Sequence, residues 1–201
     1  MSSPRPLVAQ EPKRQRGRLR VAAIIEASVE LFKEKGFDAV TMTEIAARSG
    51  TAIGSLYRFF PSKDALADAL LLQFTTLVTS ELTELEKKVS GMAPDELANA
   101  LIDFSESLRA QRNFAAALLE ERGGRESRRM EFREFMRQRI ARILRKSIPD
   151  LDASRAKTMA IVILHSLKVV SATEQETPAA RALILTETRK LVRLYIASAV
   201  G

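Results

Sequence analysis

The side chains with the most chemistry to offer lie between Thr41 and Lys63, in the stretch TMTEIAARSGTAIGSLYRFFPSK. Hydroxyls (Thr41, Thr43, Ser55, Tyr57) and cations (Arg58, Lys63) alternate there with small and apolar residues. They offer hydrogen bonds and positive charge, which suits phosphates and the edges of bases. Covalent catalysis has little to work with elsewhere. His165 is the only histidine, cysteine is absent, and neither a glycine-rich phosphate loop nor paired metal-ligand spacing occurs. Gly123-Gly124, beside Arg122 and Arg125, reads as a helix stop rather than a phosphate site. No enzyme activity, cofactor or metal is expected.

The elements that must position this stretch are two short helices. Thr41 can cap the first, and Glu44 stands three residues on, the spacing of a capping box. Ile45, Ala46 and Ala47 give it a tight apolar side. Gly50 suits the left-handed turn that ends it. A second helix is expected from about Ala52 to Phe60, halted by Pro61. Alanine is a poor N-cap, so Thr51 is expected in that role. Two short helices joined by a glycine turn follow the plan of a helix-turn-helix, whose second helix lies in the major groove of DNA.

At this point the stretch resembles the DNA-binding motif of the TetR family of bacterial regulators. The matching residues are Thr41, Ile45-Ala46, Gly50, Gly54-Ser55-Leu56-Tyr57, Phe60 and Pro61-Ser62-Lys63-Asp64-Ala65-Leu66. Where that family often opens the second helix with Ser and Lys, this chain has Ala52 and Ile53. Isoleucine cannot hold a phosphate but can pack on a thymine methyl group. The resemblance implies a dimer formed by the last two helices and a small effector held among the central ones.

The 201 residues carry a net charge of +7, which favours a polyanionic partner. Residues 1–63 hold 11 Lys/Arg against 6 Asp/Glu, while residues 64–201 hold 21 against 19. The basic excess therefore sits with the helix-turn-helix. The first twenty residues lack an apolar signal region, and the apolar run Met159 to Ala172 is short for a bilayer and contains His165 and Lys168. A cytoplasmic protein with no membrane partner is expected.

In order, the chain reads as all-α, with about nine helices. Residues 1–17 form a basic, proline-rich arm, read either as a solvated tail or as an arm reaching phosphates through Arg14, Arg16 and Arg18. Residues 18–62 form the helix-turn-helix domain. Its first helix, Arg18 to Lys35, is expected to use Ile25, Val29 and Phe32 as its core face. Residues 63–201 form a helical effector-binding and dimerisation domain, opened by a helix from Ser62 to about Ser90. Further helices are expected from Asp95 past Leu108, over a short piece at Phe114 to Leu119, and from Glu126 to Ser147. That last helix has one strongly basic side, read as a solvated face. Two final helices, about 153–173 and from Pro178 to about Val200, carry apolar residues on more than one side. Such helices bury one face in the core and another against a second subunit.

These patterns combine into a dimeric transcriptional regulator, a repressor on a palindromic operator, released by a small apolar effector. Expected phosphate contacts are Thr41, Thr43, Tyr57 and Lys63, and expected base contacts are Ala52, Ile53, Ser55 and Arg58. Expected effector-pocket residues are Phe74, Leu77, Leu101, Phe104, Leu108, Phe114, Leu118, Phe135 and His165, each also a good core residue. His165 reads either as a hydrogen-bonded core or interface histidine or as the pocket's polar anchor. Val162, Val169, Leu191 and Tyr195 are the expected dimer face. The alternatives are an activator or corepressor-dependent regulator, and a DNA-binding protein controlled by a protein partner.

Overall fold

The computed structural model describes residues 15–108, 126–173 and 176–200. Eight helices and no strands occur among them. They are α1 (Gln15–Lys35), α2 (Met42–Arg48), α3 (Ile53–Phe59), α4 (Lys63–Lys88), α5 (Pro94–Ser107), α6 (Glu126–Ser147), α7 (Ala153–Ala172) and α8 (Pro178–Ala197). The all-α expectation holds. The short piece expected at Phe114 to Leu119 lies outside the described residues. The chain divides into two compact units, and the division falls within α4, between Thr76 and Leu77.

The first unit contains α1, α2, α3 and the first half of α4. Its core joins Ile24, Leu31, Phe32, Val40, Ile45, Leu56, Phe59, Leu66 and Leu70. Of the expected face of α1, Phe32 is buried, as are Ala27 and Leu31, while Ile25 and Val29 are half-buried and pack against the core, whose deepest line is Ile24, Ser28 and Leu31. Both lines have helical spacing. Ser28 disguises the deepest one, because its hydroxyl donates to the Ile24 carbonyl at 2.6 Å and so enters the core satisfied. Gly36 follows α1, and Phe37 turns back onto Phe32 with ring centroids 5.1 Å apart.

The second unit contains the rest of α4 with α5 to α8. Val78, Leu82, Leu97, Leu101, Ile140, Leu144, Ile163 and Val192 are among its buried side chains. Three ion pairs lace α5 to α8: Glu106 to Arg181, Asp103 to Arg189 at 3.0 Å and Asp95 to Arg193 at 3.5 Å. The basic side of α6 finds partners on α4. Arg139 reaches Glu86 at 3.2 Å and Thr83 Oγ1 at 2.9 Å, and Lys146 donates to the Glu86 carbonyl at 2.8 Å. By length and composition alone α4 could cross a membrane. Its Leu66, Leu70, Val78 and Leu82 are no more than 4% exposed, as in the core helix of a folded domain.

The capping box forms as spaced. Thr41 Oγ1 accepts from Glu44 N at 3.2 Å, and Glu44 Oε2 accepts from Thr41 N at 2.8 Å and from the Thr41 hydroxyl at 2.8 Å. Lys35 donates to the other Glu44 oxygen at 2.7 Å. The Lys35 ammonium and then the two Thr41 donors hold the Glu44 carboxyl down to about 2, from 4.5. The folded protein thus sheds this proton at lower pH than the unfolded chain, so the contribution is present above pH 4.5 and vanishes as pH falls through 2. Urea unfolding should find Glu44→Gln less stable than wild type at pH 6, with the difference shrinking steadily from pH 4.5 to pH 2. A gap that stays constant over that range would refute the assignment.

Candidate nucleic-acid interface

Helix α3 is the element to be positioned, and it is weak alone. It has seven residues, and its N-cap Ala52 makes no side-chain cap bond. The expected cap, Thr51, is instead buried at 7% exposure, with its backbone N–H on the Ala46 carbonyl at 2.9 Å. Thr51 is drawn inward by the turn after Gly50, whose φ of +60° only a glycine takes without strain. What holds α3 is one side, Leu56 and Phe59, at 0% and 7% exposure. The opposite side points outward. Ala52, Ile53, Gly54, Tyr57 and Arg58 are exposed, with Ile53 at 42% and Tyr57 at 48%, and Ser55 is half-buried beside them.

Helix α2 is clamped to α1 from outside the core. Arg48 grips Glu34 through two hydrogen bonds, at 2.9 and 3.0 Å, and reaches Glu30 at 3.4 Å. The Arg48 guanidinium holds the Glu34 carboxyl below its ordinary value. Thr43 on α2 is exposed. Thr41 is exposed too, but its hydroxyl is spent on the capping box. Arg16 and Arg18 lie exposed in the first turn of α1, which begins at Gln15, while Arg14 lies outside the described residues. Arg20, one turn further on, donates to Ser55 Oγ at 3.3 Å. Arg58 lies over the Phe59 ring at 5.2 Å.

Lys63 has a different task from the expected phosphate contact. Its ammonium donates to the carbonyls of Phe37 at 2.7 Å, Asp38 at 3.0 Å and Val40 at 2.8 Å. It also sits 4.5 Å from the centre of the Phe37 ring. An ammonium has three protons, so none is left for a phosphate. Its partners lie 23 to 26 residues away in sequence, and no local pattern announces them. The lysine therefore ties the start of α4 to the loop that leads into Thr41.

The expected pocket residues separate in burial. Leu101, Phe104 and Leu108 are buried in the second unit, Leu77 and Phe135 are half-buried there, and Phe74 is buried in the first unit. Phe114 and Leu118 lie outside the described residues. His165 is exposed, and its Nδ1 is 2.8 Å from the Ile161 carbonyl. It shares its side of α7 with Val162 and Val169, at 39% and 46% exposure. On α8, Leu183, Leu191 and Leu194 are also exposed, Leu191 at 52%, and Tyr195 is half-buried.

Residues 24–70 match the family model described as bacterial regulatory proteins, tetR family. The chain is similar to the HTH-type transcriptional repressor Rv3405c of Mycobacterium tuberculosis, 38% identical over 87 residues, or 41% of this chain and 46% of that protein. It spans between 34% and 46% of the length of the first curated relatives it matches. Among solved structures, a TerR/AcrR-family transcriptional regulator from Aquifex aeolicus superposes with a TM-score of 0.69 at 23% identity, over 87% of this chain and 98% of that one. The SmeT–triclosan complex superposes at 0.65 and 19% identity, over 90% and 92%. At these identities the structures establish the shared fold.

The Lys63 arrangement has a direct consequence for stability. Lys63→Met strands three carbonyls and should cost about 2 kcal/mol in chemical unfolding, the scale of lost hydrogen bonds to a charged group. Lys63→Arg should recover little of it, because a planar guanidinium cannot converge on three carbonyls as an ammonium does. Wild-type stability in Lys63→Met would remove the staple.

Proposed function

We propose, from the premise that residues 24–70 are a TetR-family DNA-binding domain, that this chain is a sequence-specific transcriptional regulator. It binds a palindromic operator as a homodimer, represses transcription there, and leaves when a small molecule binds. The observation that carries this reading is the outward side of α3. It presents Ile53 and Tyr57 to solvent on a helix whose other side is fully committed to the core.

Gly54 sharpens the argument. A Cβ built there meets nothing within 4 Å, and its φ is not positive. The fold therefore has no need of glycine at this position, and glycine costs a helix about 1 kcal/mol relative to alanine. A partner whose backbone comes close to that of α3 supplies the missing reason. DNA in the major groove is such a partner. In this reading Ile53 and Ser55 face base edges, with Ala52 and Arg58 at the margins. Thr43, Tyr57, Arg16 and Arg18 face phosphates, and Arg14 would extend that set. Thr41 and Lys63 serve the frame instead.

The exposed apolar sides of α7 and α8 support a two-fold dimer. Val162, Val169 and Leu191 would meet their counterparts, with Tyr195 at the edge and His165 on the same side. Leu101, Phe104 and Leu108 are the best-buried candidates to line an effector site. A neighbour of the same fold was solved with triclosan, which supports an apolar ligand. An effector acts by preferring the conformation that does not fit DNA, shifting the population away from the bound state. A cytoplasmic location and the absence of catalysis accompany this reading.

The test is a footprint on DNA upstream of the protein's own gene, near physiological salt with excess competitor DNA. A protected two-fold-symmetric site is expected, and it supplies the probe for an effector screen by release. Binding that survives only at low salt would indicate phosphate attraction without sequence reading. Gly54→Ala should raise thermal stability while weakening the specific site on the order of tenfold. A variant that is both more stable and equally tight would refute the close approach.

A further inference from the structure

We infer that Arg20 fixes the polarity of Ser55, so that Ser55 acts as a hydrogen-bond donor and the base edge opposite it must present an acceptor. This rests on the DNA-binding reading above and adds what α3 asks of its operator.

The placement comes from α1. Residues 16, 20, 24 and 28 follow one another at steps of four and share a side of that helix. Ile24 and Ser28 are fully buried. The same line leaves the core one turn earlier, at Arg20, and there its guanidinium donates to Ser55 Oγ at 3.3 Å. Arg20 is exposed and forms no ion pair among the described residues, so its remaining N–H groups and its charge stand beside the outward side of α3. Arg16 lies on the same line and is also exposed.

The polarity comes from the donor and acceptor inventory. A guanidinium only donates, whereas a hydroxyl has one proton and two lone pairs. Arg20 takes one of the two lone pairs of Ser55, which leaves the proton and one lone pair, and the guanidinium turns the proton away from itself, outward. In the helices of this protein hydroxyls usually give that proton to the carbonyl four residues back, as Ser28, Thr75 and Thr83 do. The Ser55 hydroxyl makes no such bond among the described residues, and its only hydrogen bond there is the one from Arg20, while the Ser55 backbone N–H donates to the Ala52 carbonyl at 2.8 Å. The neighbouring positive charge also favours a hydroxyl that donates over one that accepts. In the major groove the acceptors are guanine N7 and O6, adenine N7 and thymine O4, and the donors are the amino groups of cytosine and adenine. Guanine, with two adjacent acceptors, fits best, thymine follows, and cytosine is disfavoured. Arg20 is thus a positioning residue acting through Ser55.

The experiment is selection from randomised duplexes with the full chain, near physiological salt, followed by titrations on point variants of the winning site. Wild type, Ser55→Ala, Arg20→Met and Arg20→Lys are compared. Wild type should hold guanine or thymine at one position of each half-site and reject cytosine there about three- to tenfold, the worth of one neutral hydrogen bond. Ser55→Ala should lose the preference at that position alone. Arg20→Met should bind all sites more weakly and admit cytosine at that position, with the other positions unchanged. Arg20→Lys, which keeps a donor, should restore the wild-type order. Cytosine preferred by wild type at the Ser55-dependent position overturns the inference, as does any base distribution left unchanged by Arg20→Met or by Ser55→Ala. Wild type that enriches no sequence overturns the DNA-binding reading itself, and this inference with it. Both positions lie at the surface, so unchanged helical circular dichroism and melting temperature separate these effects from misfolding.

Discussion

A seven-residue helix with no side-chain cap and a glycine in its first turn cannot hold itself together in water. Everything about the first unit follows from having to hold α3 in place while leaving one side of it bare. Leu56 and Phe59 supply the grip, buried in a core that also takes in Ile24, Leu31, Ile45, Leu66 and Leu70. The core thus draws on α1, α2 and α4 at once, so α3 has a fixed orientation against three helices rather than one. In the proposed function α3 needs that more than it needs intrinsic stability, since misplaced side chains would lose the bases they read.

Charge does its work around the edge of this core. Arg48 on Glu34, Lys35 on Glu44 and Lys63 on three carbonyls all join elements at the helix ends, where backbone groups lack partners. The first two are surface pairs and add little energy each. The third differs because it satisfies several carbonyls with one ammonium. It also binds the first residue of α4 to the loop just before the α2 cap. Any displacement of that end of α4 must then carry the loop with it or break three hydrogen bonds. Among the described helices α4 alone has residues in both units, and its start is tied to the loop before the α2 cap.

Local chemistry was legible in the sequence, and long-range chemistry was not. Thr41 with Glu44, Gly50, Pro61 and the Ser62 cap are each decided within four residues, and the helices they delimit lie where the spacing puts them. The capping box can be read because its two partners are in fixed register. Thr51 misled because cap preference was weighed without the inward turn that buries it. Ile25 and Val29 do pack against the core, but the deepest line of α1 was hidden because a polar residue, Ser28, sits on it. Lys63 and Arg20 were legible as cations but not by partner, since their partners lie 23 to 35 residues away. The outward sides of α7 and α8 were legible as excess apolar residues, and the structure resolves which ones face the core.

The two units differ in what they can tolerate. In the second unit, α5 and α8 are joined by three ion pairs, and single changes at exposed positions there lose little. In the first unit, the outward side of α3 contributes nothing to the core, and core packing places no demand on Ile53, Gly54 and Tyr57. A side that packing leaves unconstrained, yet that carries a helix-weakening glycine and two exposed bulky apolar residues, is what the proposed contact with a DNA groove accounts for. In that proposal the residue choice, more than the net positive charge, is what separates reading a groove from merely attracting phosphate.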